Sequence, residues 1–179
     1  MINSSNYYCE LYPKWISRID KKNLTSNFFK IINFYILICP LKENMSFQNY
    51  NLNSFGWDKE AWNSYYYLKY YLDKNVFYGK EKKINFKTIK KEKDNKLFKE
   101  KGFDDNFYKN LNIERVLIKD TENNKYKSLF THIRCSLAHG RFNIFINKTD
   151  NKKYYVMENG KIDNKMFKLS ARMILKEDT

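Results

Sequence analysis

Arg134 and His139 are the residues of this chain whose types and spacing most clearly suggest chemistry. An arginine presents a planar fork of donors that suits phosphate oxygens. A histidine exchanges protons near neutral pH. Such a pair can bind an anionic group and transfer a proton beside it.

A predicted helix over residues 125–139 would position this pair. Apolar residues recur along it at the three- and four-residue spacing of one buried helical face, namely Tyr126, Leu129, Phe130, Ile133 and Leu137. Gly140 follows, and a glycine just past a helix end favours the left-handed conformation that ends the helix. His139 is therefore predicted at the last helical position, where the negative end of the helix dipole favours an imidazolium.

The segment Arg134-Cys135-Ser136-Leu137-Ala138-His139 resembles the motif of the HEPN domain family, in which a histidine follows an arginine at a short, fixed range of spacings. The continuation Gly140-Arg141-Phe142, with an alternating strand after it, resembles a subgroup found in bacterial defence and plasmid-encoded proteins.

This resemblance implies a mainly α fold, a HEPN-like helical bundle with a small C-terminal antiparallel β-sheet, that pairs with a second copy. It implies a metal-independent endoribonuclease without a cofactor, acting as a toxin or in antiviral defence, with an antitoxin or regulatory protein as a further partner. In that mechanism His139 deprotonates the ribose 2′-hydroxyl or protonates the leaving oxygen, and Arg134 holds the scissile phosphate. Both residues would come from two protomers that share one cleft.

Three further residues are candidates for supporting the arginine. Members of the family commonly carry a polar residue directly after the arginine, and Cys135 takes that place here. In the family, an acidic or polar residue from a neighbouring helix sometimes assists the arginine. Glu60 or Asp73 could do so here, and simple exposure to solvent is the alternative for each.

The chain is strongly basic, with 34 Lys and Arg against 20 Asp and Glu and a net charge of +14. This balance favours a polyanionic partner such as RNA. Few of the 34 are arginine, however, and an AT-rich genome also produces a composition heavy in Lys and Asn, so the charge supports RNA binding without establishing it.

The predicted RNA-binding residues are Lys82, Lys83, Lys90, Lys91 and Arg141. Four of them lie in the lysine-rich residues 79–102, which are predicted either to steer RNA or to form a flexible, solvated insertion.

The length of 179 residues predicts one domain. Residues 1–140 are predicted as the helical bundle, carrying the insertion 79–102, and residues 141–179 as a β-hairpin or three-stranded appendage of the same domain. Helices are predicted after Thr25 or Ser26, over residues 59–78, and more weakly after Asp104 and Asp105 through residue 118. The period changes to two after Gly140, which predicts strands near residues 142–146, 154–157 and 169–175. Thr179 would suit the N-cap of a further helix, so a short or truncated form is expected.

The sequence shows no sign of export or membrane insertion. Cys9, Cys39 and Cys135 lack the paired spacing of a disulfide framework or zinc site. The most apolar stretch, residues 31–41, is about half the length that a membrane span needs. There is also no signal peptide. We therefore expect a cytoplasmic protein.

Other functions stay open at this point. The main alternative is a non-catalytic HEPN-like module that binds RNA, a nucleotide or a protein, and Cys135 in place of the usual polar residue favours it. A metal-dependent nuclease built on Asp104, Asp105 and Glu158 has no recognisable ligand spacing.

Overall fold

The computed structural model describes residues 13, 15–16, 19–38, 84–89, 95–120 and 125–178. The main element of this part is a five-stranded sheet. Its strands are β1 (Ile84–Ile89), β2 (Glu114–Lys119), β3 (Phe142–Ile146), β4 (Lys153–Asp163) and β5 (Met166–Lys176). They lie in the order β1-β2-β5-β4-β3, with β1 parallel to β2 and the other neighbours antiparallel.

Helices are few in the described ranges. The three α-helices are α1 (Ser26–Ile32), α2 (Lys96–Glu100) and α3 (Lys125–Ala138). Thr25 caps α1, because its hydroxyl accepts a hydrogen bond from the backbone N–H of Phe28. A π-helical turn, Asn33–Ile38, continues α1, and short 3₁₀ turns occur at Lys21–Asn23 and Phe107–Lys109.

The predicted mainly α fold, a HEPN-like helical bundle, is wrong, because the described residues form chiefly a sheet and only α3 exceeds seven residues among their α-helices. The clearest error concerns Glu114–Lys119, which was expected in a helical segment and is strand β2. Val116 and Ile118 enter one core and Leu117 the other. A short aliphatic run buried on both faces of a sheet cannot be distinguished from a buried helix by periodicity.

The first core lies between α3 and one face of the sheet. Its helical side chains include Leu129, Phe130, Ile133 and Leu137, four of the five residues of the predicted apolar stripe. They pack on alternate residues of the strands, such as Val116, Ile144, Tyr155, Met157 and Met173. The predicted helix and its buried face are confirmed, and α3 ends at Ala138.

The second core covers the opposite face of the sheet and has no long helix over it in the described ranges. Its members include Trp15, Phe98, Phe103 and Phe107, which pack on Leu117, Tyr154, Val156, Phe167, Leu169 and Ile174. Arg115 holds the loop after α2 in place, since its guanidinium donates to the carbonyls of Gly102 and Phe107 at 3.0 and 2.6 Å.

The positions of the three C-terminal strands were predicted correctly, but the lengths of β4 and β5 were underestimated. Strand β3 has the predicted bounds, whereas β4 continues past Glu158, Asn159 and Gly160 to Asp163. A register shift at Asn159 and Gly160 lets the strand continue where an end was expected. The helix predicted for residues 59–78 lies outside the described residues.

None of the helices in the described ranges is long and apolar enough to cross a membrane.

Candidate functional site

The C-terminal end of α3 holds His139 in a defined turn. The backbone N–H groups of His139, Gly140 and Arg141 donate to the carbonyls of Cys135, Leu137 and Ser136 at 3.0, 3.1 and 2.8 Å. Gly140 has a φ of +63°, the left-handed conformation expected from its place after the helix. His139 itself is exposed, so its imidazole meets solvent at a fixed point of the backbone.

Arg134 lies on α3 and is partly buried. It follows Phe130 by one helical turn, and the Phe130 ring lies 5.7 Å from the ring of Tyr35 in the π-helical turn. The Nε atom of Arg134 is buried and has no hydrogen-bond partner among the described residues. The side chain therefore offers at least one donor that the described structure leaves unused.

Arg134 and His139 are five residues apart, and helix geometry separates them around the axis. Five residues correspond to about 140° around a helix axis, so the two side chains leave α3 in different directions. His139 is also one residue beyond the end of α3.

Cys135 is a partly buried thiol between these two residues. Burial raises its pKa, and the positive charge of Arg134 only partly opposes that effect. At neutral pH the side chain is therefore a neutral thiol, which is a weak hydrogen-bonding group and a poor nucleophile.

Arg141, predicted to bind RNA, is placed in the interior instead. Its guanidinium forms an ion pair with Glu158 and lies 3.7 Å from the centre of the Phe167 ring. The backbone of Arg141 also accepts a hydrogen bond from the N–H of Glu158 at 3.0 Å. These contacts fix the chain two residues after His139 and turn the Arg141 side chain away from solvent.

Glu158 is fully buried between two arginines. Besides Arg141, it pairs with Arg172, whose Nε lies 3.2 Å from the second carboxylate oxygen. Arg172 also donates to the carbonyl of Phe103 and to the exposed carboxylate of Asp105, each at 2.8 Å. The cluster neutralises buried charge and ties the loop after α2 to the sheet.

The same contacts bear on the metal-dependent arrangement of Asp104, Asp105 and Glu158. The carboxylate of Glu158 is engaged by two guanidinium groups, and Asp104 accepts a hydrogen bond from the backbone N–H of Asn106. In the described ranges no group of three or more His, Cys, Asp or Glu side chains could hold a metal ion.

His132 is the buried counterpart of His139. Asn159 Nδ2 lies 2.8 Å from His132 Nδ1, and the N–H of Gly160 donates to Asn159 Oδ1, which fixes the orientation of that amide. Nδ1 therefore accepts a hydrogen bond, and the ring proton is on Nε2, which donates to the carbonyl of Lys119 at 2.8 Å. Both ring nitrogens are occupied, so His132 has a packing role.

A polar stripe beside the apolar one was not identified from the sequence. Ser128, His132 and Ser136 recur every four residues on α3, and all three are buried. Ser128 donates to Asp120 and Ser136 to the carbonyl of His132, at 2.9 and 2.8 Å. Their spacing is the signal that could have revealed this second buried face.

The remaining predicted site residues, Glu60, Asp73, Lys82, Lys83, Lys90 and Lys91, lie outside the described residues.

No family model matches the chain, and no curated protein or solved structure shows a significant match to it. The resemblance of the motif to the HEPN family therefore stays a prediction.

Proposed function

We propose that the protein is a metal-independent endoribonuclease in which His139 transfers protons and Arg134 binds the scissile phosphate. The observation that carries this proposal is the exposed imidazole of His139 on a turn that hydrogen bonds hold on both sides. A catalytic histidine needs access to substrate and a fixed backbone, and His139 has both.

The chemistry fits these residues because RNA carries its own nucleophile. The 2′-oxygen attacks the adjacent phosphorus as its proton leaves, the bond to the 5′-oxygen breaks, and that oxygen takes up a proton. The products are a 2′,3′-cyclic phosphate and a free 5′-hydroxyl. One His139 imidazole can take the first proton or give the second, and the guanidinium of Arg134 stabilises the charge on the phosphate oxygens.

The direction of the two side chains supports a site shared between two copies. Because five residues correspond to about 140° on an ideal helix, Arg134 of one copy would face the phosphate opposite His139 of the other. We propose a homodimer acting on RNA in the cytoplasm, as a toxin or in antiviral defence, restrained by an antitoxin or another regulatory protein.

Incubation of cellular RNA with the purified protein in EDTA at low salt tests this proposal. We expect the parent to cut RNA and leave cyclic phosphate ends, and His139→Ala to lose at least about a hundredfold in rate. Lys148→Ala, an exposed change in the turn after β3, is the control that should cut like the parent. No cleavage by a folded parent, or equal cleavage by the His139→Ala variant, would contradict the proposal.

A second candidate is a non-catalytic module that binds RNA, a nucleotide or a protein. The neutral, partly buried thiol of Cys135 favours it, because this position carries a polar group in the resembled family. RNA binding without cleavage, weakened by Arg134→Ala, would support this candidate.

A further inference from the structure

The β4–β5 hairpin extends beyond the strands on either side of it. Strand β2 pairs with β5 only over residues 171–174, and β3 pairs with β4 only over residues 153–157. The hairpin residues 158–170 therefore have no neighbouring strand in the described ranges. At the far end Asn164 and Lys165, with φ values of +49° and +63°, form a two-residue turn.

Side chains take the place of the missing strands and hold the hairpin still. The amide of Asn95 donates to the carbonyl of Phe167 and accepts from the N–H of Leu169, both at 2.8 Å, as a neighbouring strand would. On the inner side the guanidinium of Arg141 covers the Phe167 ring. The hairpin is thus a fixed projection of the sheet.

The end of this projection is basic and carries an exposed aliphatic side chain. Ile162 is 66% exposed, the largest value among the exposed large hydrophobic residues of the described ranges. Lys161 and Lys165 are exposed beside it. The neighbouring Asp163 is paired with Lys168, so the acidic charge at the hairpin end is already balanced.

The hairpin contacts the chain two residues after His139, through the side chain of Arg141. Arg141 is two residues after His139, which places their Cα atoms within about 7 Å of each other. Arg141 contacts Phe167, and Phe167 is the cross-strand partner of Ile162. Two contacts, between Arg141 and Phe167 and between Phe167 and Ile162, therefore connect the chain near His139 to the hairpin end.

Lys161 also points to the face of the sheet on which α3 lies. Phe167 and Leu169 belong to the core on the opposite face, and their cross-strand partners Ile162 and Gly160 share that orientation. Lys161, between these partners, must point the other way. Its side chain therefore leaves the strand toward the face that carries α3, the helix that His139 follows.

We propose that the end of the β4–β5 hairpin is an RNA-contacting surface of the His139 site, with Lys161 and Lys165 on phosphates. This inference rests on the proposed function, because it takes RNA as the ligand. Two exposed ammonium groups on a rigid support suit a polyanion, and their contacts with phosphates would make binding salt-dependent.

The test measures binding of a fluorescent single-stranded RNA to His139→Ala protein in EDTA at several salt concentrations, so that cleavage does not interfere. A double variant of the hairpin, Lys161→Gln with Lys165→Gln, is compared with a control double variant, Lys109→Gln with Lys148→Gln. The control pair removes the same charge from exposed lysines near the opposite end of the hairpin strands. We expect the hairpin variant to bind RNA more weakly at low salt. We also expect the negative slope of log affinity against log salt to become shallower by about 1.4, the value for two phosphate contacts on a single strand. The control pair should leave both quantities close to the parent values.

Two outcomes would overturn the inference without touching the proposed function. One is equal loss of affinity in both pairs, which would mean a diffuse charge effect. The other is unchanged RNA binding together with an oligomeric state altered by Ile162→Asp, which would assign the hairpin end to a protein contact. Failure of the proposed function would appear separately, as a parent protein that does not cut RNA.

Discussion

At the scale of single residues, the two histidines near the motif have opposite environments. His132 has both ring nitrogens in hydrogen bonds within the fold, whereas His139 is exposed on the turn after α3. The proton chemistry that we propose can therefore be assigned to His139 alone. Arg141 and Glu158, close in space to this turn, serve as its internal support.

Cys135 offers a test of the environment of α3 at the motif. Burial raises the pKa of its thiol, so the folded protein favours the protonated form. The resulting stabilisation is complete below the pKa of the unfolded chain and is lost as the pH rises through the folded value. We expect alkylation of Cys135 by iodoacetamide to be several-fold slower at pH 8 in the native protein than in urea, because alkylation needs the thiolate.

Peptide mapping by mass spectrometry would follow Cys135 separately from the other cysteines. The pH at which the alkylation rate of Cys135 reaches half of its maximum should be higher in the native protein than in urea. A midpoint below that of the unfolded chain would show that Arg134 activates the thiol, in conflict with the environment described above.

At the scale of elements, a register shift between Asn159 and Gly160 marks where the β4–β5 hairpin begins to extend beyond its neighbouring strands. Gly160 stands at this shift, where an added Cβ would lie 2.3 Å from the carbonyl oxygen of Lys168 and 2.7 Å from the ring of Phe167. No side chain fits there, because backbone on one side and a buried ring on the other leave no room. The glycine is thus required by close approach, with no need for a left-handed backbone.

Gly160→Ala should consequently lower the free energy of unfolding by about 1–3 kcal/mol, the usual range for overpacking. Urea denaturation followed by circular dichroism measures the change. Gly140→Asn is a matched control, because that position is left-handed but open, with nothing within 4 Å of an added Cβ. It should cost less than about 1 kcal/mol, since asparagine tolerates this conformation at helix ends. Equal effects of the two changes would contradict the packing described for the hairpin.

Elements with a clear local signal were the ones that the sequence could predict. The apolar stripe and Gly140 predicted α3, and alternation predicted β3. Strand β2 was missed because Val116, Leu117 and Ile118 are buried on both faces, and β1 because its residues lie in a lysine-rich stretch. Within the site, a helix end close to His139 could be predicted, although α3 ends one residue earlier, at Ala138. The burial of Arg141 depends on Glu158 and Phe167, whose approach is a tertiary contact that sequence spacing does not show.

At the scale of the whole molecule, the described sheet separates two packed faces, and the His139 turn lies at one margin of the face that carries α3. The extended hairpin contacts the chain just after this turn, where Arg141 covers the ring of Phe167. Each copy of the chain has a net charge of +14. Two copies would therefore repel each other at long range unless RNA or another polyanion lay between them. We therefore expect the shared site to be most stable with nucleic acid bound.

The most direct test of the central claim is the RNA cleavage rate of an equimolar mixture of Arg134→Ala and His139→Ala proteins, allowed to exchange subunits, in EDTA. Each variant alone should be inactive. The mixed dimer contains one intact pair, with Arg134 from one copy and His139 from the other. We expect recovery of about a quarter of the parent rate, since half of the dimers are mixed and each has one of two sites. A mixture as inactive as its components would contradict a site shared between two copies.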